Sequence, residues 1–211
     1  MQEILELRPN IIIGDNYEGQ VTLSSWAGFQ SRQGFYGAKD SNDNSNGLVK
    51  VFITGRQVDY VKISTQEQIN SIIFLHKNSD KIRDAILNEL IKELPEIKDI
   101  YEDLFPTINN IDDFKKVLGL SILHVMNSDK DGFAYVGYEL GCDWDVEHGI
   151  GVMMYKEKVI AIGQASVSFD TWVTYKDNGT LNEEQENWST KNSVSVRLDN
   201  VEDGKPWWKF W

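Results

Sequence analysis

GFAYVGYELGCDWDVEHGIGVMMYKEKVIAIG, residues Gly132 to Gly163, is the stretch on which the fold turns. Phe133, Tyr135, Gly137 and Glu139 alternate with Ala134, Val136, Tyr138 and Leu140, so one face is mixed and partly aromatic while the other is more uniformly apolar. That is the pattern of a half-buried strand. Ile150 to Tyr155 is a short apolar run, and Lys158 to Ile162 follows after Lys156-Glu157, two polar residues that suit a tight hairpin. The whole reads as strand, irregular turn, strand, short turn, strand. The irregular turn, Gly141-Cys142-Asp143-Trp144-Asp145-Val146-Glu147-His148-Gly149, contains the single cysteine and one of the three histidines.

Upstream, the period changes twice. Glu3 to Arg8, Tyr17 to Trp26, Leu48 to Thr54 and Arg56 to Ile63 read as strands, with Tyr17 to Trp26 pairing with Leu48 to Thr54. The polar loop Asp40 to Gly47 between them looks like a calcium loop, but neither frame places both the glycine and the final glutamate where an EF-hand needs them, which predicts a mobile hairpin tip. Ser64-Thr65-Gln66-Glu67 has the pattern of a capping box, and Ile69, Ile72, Ile73 and His76 then fall on one helical face. Ile82, Ile86, Leu90 and Leu94 continue at four-residue spacing until Pro95, which stops this helix and opens a third. Asp112 to Leu118 predicts a fourth, shorter helix, and Leu120 to Met126 is strand-like.

Strand, helix, strand along the chain predicts an α+β fold. The expected sheet is mainly antiparallel and built from the N-terminal strands (Glu3 to Ile63) and the C-terminal strands (Leu120 to Ile162), with the helical middle packed on one face. Residues 1–169 would form this domain. Residues 170–211 form a Trp-rich extension packed on the same domain, with strands at Thr171 to Lys176 and Ser193 to Leu198. Five of the seven tryptophans, Trp172, Trp188, Trp207, Trp208 and Trp211, lie in it. Aromatic rings of that number are costly to leave in water, so the tail either packs on its own sheet or mediates contact with a partner or a second copy of the chain.

Gly141 to Asp145, then Glu147 to Val152, the short hairpin and Val159 to Gly163 resemble the C-terminal signature of an uncharacterised bacterial domain-of-unknown-function family. The resemblance covers roughly Tyr17 to Phe169. It implies a β-rich N-terminal segment, a helical middle and this turn near the end, and an association with bacterial toxin-immunity loci. It implies no activity.

Composition narrows the function classes. Hydrophobic residues make up 41% and charged ones 26%, and the net charge is −12. An acidic chain is a poor partner for nucleic acid, whose binding depends on clustered Lys and Arg. No apolar run approaches the ~20 residues that cross a bilayer. The N-terminus lacks the basic region and apolar core of a signal peptide, and one cysteine makes no intrachain disulfide, so a cytoplasmic location is expected. Phosphate loops, nucleophile elbows and His-Glu-x-x-His pairs are all missing from the sequence.

Three function classes remain, with binding ranked above catalysis. In the first, a non-enzymatic, immunity-type protein presents an acidic surface, Asp129, Asp131, Asp143, Asp145 and Glu147 with Trp144 as aromatic anchor, to a basic protein. In the second, Cys142, Asp145, Glu147 and His148 hold a metal or form a hydrolytic site, although Cys142 to His148 matches no standard zinc spacing. In the third, the tail tryptophans stack on a carbohydrate. The first reading calls for no cofactor and no metal. His76 and His124 are read as structural histidines.

Overall fold

The computed structural model describes residues 5–9, 16–34, 37–54, 56–58, 61–63, 65–101, 105–181 and 197–198. The elements are β1 (Leu5–Pro9), β2 (Asn16–Thr22), β3 (Leu48–Thr54), β4 (Arg56–Val58), β5 (Val61–Ile63), α1 (Gln66–Lys77), α2 (Ser79–Tyr101), β6 (Leu118–Lys130), β7 (Phe133–Cys142), β8 (Ile150–Tyr155), β9 (Lys158–Gly163), α3 (Thr171–Asn178) and β10 (Arg197–Leu198). Short 3-10 helices occupy Ser24–Trp26, Ile111–Lys116 and Ala165–Phe169. The fold is α+β.

One sheet has the order β1-β2-β3-β6-β7-β8-β9-β10, and β4 and β5 form a separate hairpin. The sheet is mixed, not the mainly antiparallel one expected. β3 runs parallel to β6, with Lys50 opposite Ile122 and Ile53 opposite Val125. The connection explains this. The segment between β3 and β6 carries both long helices, and a crossover of that length returns the chain to the same end of the sheet, as parallel neighbours require.

Alternate residues of the strands divide the core in two. Val51, Leu123, Val136, Tyr138 and Val152 share one cluster with Ile72 and Leu75 of α1 and Ile82, Ile86 and Leu90 of α2. Tyr135, Met153 and Ala161 share a second with Val167 of the last 3-10 helix and Val173 of α3. Helical material thus covers parts of both faces.

Four local expectations are corrected. The capping box of α1 is shifted by one residue: Thr65 Oγ1 accepts from Gln68 N at 3.2 Å and Gln68 Oε1 accepts from Thr65 N at 2.9 Å. The Gln68 amide also donates to the carbonyls of Thr54 at 2.6 Å and Met126 at 3.1 Å, which the carboxylate of Glu67 has no proton to do. α2 runs through Pro95, because Leu90, Ile91, Leu94 and Ile97 keep packing on the core across the lost hydrogen bond. Thr171 to Lys176 is helix, not strand: Asp170 caps it by accepting from Trp172 N at 2.8 Å, and Gly179 ends it at φ 75°. Loop 40–47 is tied down, with Gly28 N donating to Ser45 O at 2.9 Å and Ser45 N to Phe29 O at 2.7 Å. Of the predicted strand Ser193 to Leu198 only Arg197–Leu198 is described, paired with β9. Trp188, Trp207, Trp208 and Trp211 lie outside the described residues.

Candidate functional site

The irregular turn leaves β7 at Cys142 and enters β8 at Ile150, and its side chains divide into fixed and presented ones. Asp143 is gripped by the buried Arg32, whose guanidinium donates to Oδ1, and by Gln30 Nε2, which donates to Oδ2 at 2.8 Å. Asp145 is buried. Its Oδ1 accepts from His148 N at 3.0 Å and lies 3.0 Å from His148 Nδ1, so it closes the turn on itself. Cys142 is buried and donates its thiol to Asp145 O at 3.6 Å. Burial pushes the thiol pKa up to about 12, so the thiolate that binds metals or attacks carbonyls is absent at neutral pH. Trp144 is buried against Phe105, ring centroids 5.1 Å apart. It is therefore core and does not serve as the exposed anchor that the sequence reading made of it.

What the turn presents is its tip. Val146 is 64% exposed, and Glu147 and His148 are exposed beside it. The five acids read as one surface are dispersed. Asp129 and Asp131 sit at the β6–β7 hairpin, where Asp131 turns the chain at φ 47°. Asp143, Asp145 and Glu147 lie beyond the other end of β7, about 30 Å away at the usual rise per strand residue. Glu139 stands between the two groups. Among the described residues no set of three or more His, Cys, Asp or Glu side chains is placed to hold a metal.

A second constellation was missed in the sequence. Gly137, Glu139 and Gly141 share one face of β7, and a backbone strap crosses the sheet on each glycine. A Cβ on Gly137 would lie 1.5 Å from Ser168 O, and one on Gly141 would lie 2.1 Å from Gly37 O. Only glycine admits such contact. Glu139 is left in a slot between the straps, where its Oε2 lies 2.9 Å from His124 Nε2, with side chains 13% and 16% exposed. The imidazole stacks on Phe52, centroids 5.9 Å apart, and is flanked by Phe169 at 5.1 Å. Phe52 is opposite His124 in the register, and Gly137 is opposite it on the other side. The signal was present: a carboxylate on an inner strand with glycine two residues either way needs a partner. Its partner is 15 residues upstream on β6, visible only once the register is known.

Turn and slot adjoin. Ala165 N donates to His148 O at 3.1 Å, and the 3-10 helix that begins at Ala165 ends at Phe169. No curated protein and no solved structure matches the chain. Residues 19–169 match the family DUF6985, a domain of unknown function, and this match spans the sheet, the long helices, the turn and the slot, so the chain belongs to that family.

Proposed function

We propose that the protein acts by binding another protein, of basic character, through the tip of the turn 143–149 and the adjoining 3-10 helix, without chemistry of its own. One observation carries this reading. Among the described residues the large exposed apolar side chains are Leu48, Val146 and Phe169, and the last two sit on segments bonded to each other, with Glu147 and His148 between them in the chain path. Exposed apolar groups on a fixed scaffold, rimmed by charge, are the composition of a contact surface. The turn's remaining acids and the thiol are engaged in holding its shape, which removes support from the metal or hydrolytic alternative. The net charge of −12 favours encounter with a cationic partner. In this reading the protein is cytoplasmic, and a basic bacterial toxin, with this chain as its immunity protein, is the partner that the family resemblance points to.

The test is affinity capture from a bacterial lysate at low and at physiological salt, with Glu147→Lys and Val146→Asp as controls. We expect a basic protein to be retained by the wild type, and each substitution, at exposed positions that leave the fold intact, to weaken retention about tenfold or more. Retention unchanged by both substitutions contradicts the reading.

A further inference from the structure

Glu139 is held between two straps with one oxygen engaged. Its Oε2 lies 2.9 Å from His124 Nε2, and among the described residues no donor is placed on Oε1. The Glu139 side chain retains 13% of its surface, and its carboxylate is not among the fully buried unpartnered groups, so it is reachable from solvent. A carboxylate oxygen that faces solvent from such a slot exchanges its water readily for the N–H of an incoming cation. The slot's rim is aromatic: Phe52 lies parallel to the imidazole at 17°, and Phe169 leans over it at 57° with 49% of its own surface open.

Building on the protein-binding reading, we infer that this slot receives the guanidinium of an arginine on the partner protein. A carboxylate oxygen near a half-exposed aromatic ring, Phe169, is the chemistry that a planar, delocalised cation satisfies in two ways at once, donating N–H to the oxygen and stacking on the ring. Lysine matches it less well, because its compact ammonium is strongly hydrated and cannot stack. The straps set the selectivity. The backbone on Gly137 and Gly141 bounds the slot on either side of Glu139, and the acidic chain supplies the long-range attraction.

The experiment compares hexa-arginine with hexa-lysine on the full chain by fluorescence anisotropy, while the imidazole resonances of His124 are followed by NMR. Phe169→Ala and Glu139→Gln are tested alongside. The first removes a half-exposed ring and the second keeps the side chain's shape; circular dichroism confirms that each is folded. We expect hexa-arginine to bind at least about fivefold tighter than hexa-lysine, to shift the His124 signals, and to lose this preference in Phe169→Ala, with a comparable loss in Glu139→Gln. Equal affinity for the two peptides, or a preference that survives Phe169→Ala, overturns the inference. The protein-binding reading is judged separately, since capture that depends on Glu147 and Val146 can persist when arginine selectivity fails.

Discussion

Gly137 shows how one missing atom organises the second face of the sheet. With no Cβ, it lets Ser168 O approach to a distance that any side chain would block, and that approach places Phe169 beside His124. Gly137→Ala should therefore cost at least about 3 kcal/mol, the upper end for overpacking, because the obstacle is backbone. Gly132 is the internal control: its φ is 78° but nothing lies within 4 Å of an added Cβ, so Gly132→Ala should cost only about 1 kcal/mol of backbone strain. Urea unfolding of the two variants measures the difference, and equal destabilisation contradicts the strap argument. Cys142 gives a second test at this scale. With its thiol pushed up to about 12 by burial, it should resist a disulfide reagent at pH 8 in the native protein and react only on unfolding. Native-state reaction at the rate of a free thiol would falsify the assignment of Cys142 to the core.

At the scale of elements, α3 is held by a network that extends from the β6–β7 end of the sheet. Asp177 accepts from Tyr135 Oη at 2.6 Å and from Lys130 Nζ at 3.1 Å, and Ser128 Oγ donates to Thr174 Oγ1 at 2.7 Å. Burial raises the Asp177 pKa, but the hydroxyl and the ammonium outweigh it and hold the carboxyl below its usual value. A carboxyl depressed in the folded state stabilises in full above its unfolded pKa of about 4, and the contribution fades as pH falls through the lower folded value. Asp177→Asn should thus cost about 1–3 kcal/mol at pH 7 and progressively less below pH 4, read from thermal melts across that range. A pH-independent difference contradicts the pairing. α1 offers a similar test. Gln68→Glu should destabilise by about 2–4 kcal/mol, because a buried carboxylate would face the carbonyls of Thr54 and Met126 that the amide now serves; a change within ~0.5 kcal/mol, the range of neutral surface substitutions, contradicts it.

What could be read in the sequence follows from the range of the forces involved. β8 and β9 were legible from short-range alternation, and β7 with them, because their pattern is set by burial on adjacent strands. The parallel β3–β6 pairing, the run of α2 through Pro95 and the His124–Glu139 pair were not, because each depends on a partner distant in the chain. Thr171 to Lys176 failed for a different reason. Its alternation is that of a strand, and only the caps Asp170 and Gly179 mark it as helix. In the turn the residue types were read as candidates for binding or chemistry, but burial places Cys142, Trp144 and Asp145 in the interior and leaves Val146, Glu147 and His148 outside.

For the whole molecule, the straps and the turn converge on one end of the sheet, and the account places partner contact there. The acids at the β6–β7 hairpin, about 30 Å off along β7, are outside that surface and should be dispensable. Charge reversal at Asp131, exposed in the hairpin turn, should leave partner affinity within about twofold, whereas reversal at Glu147 should not. The most direct measurement is hydrogen exchange on the full chain, free and bound to the captured partner. The account predicts slowed exchange confined to residues 143–149 and 165–169, with the 129–132 hairpin unchanged; protection that falls on the hairpin or the helices and spares the turn would contradict it.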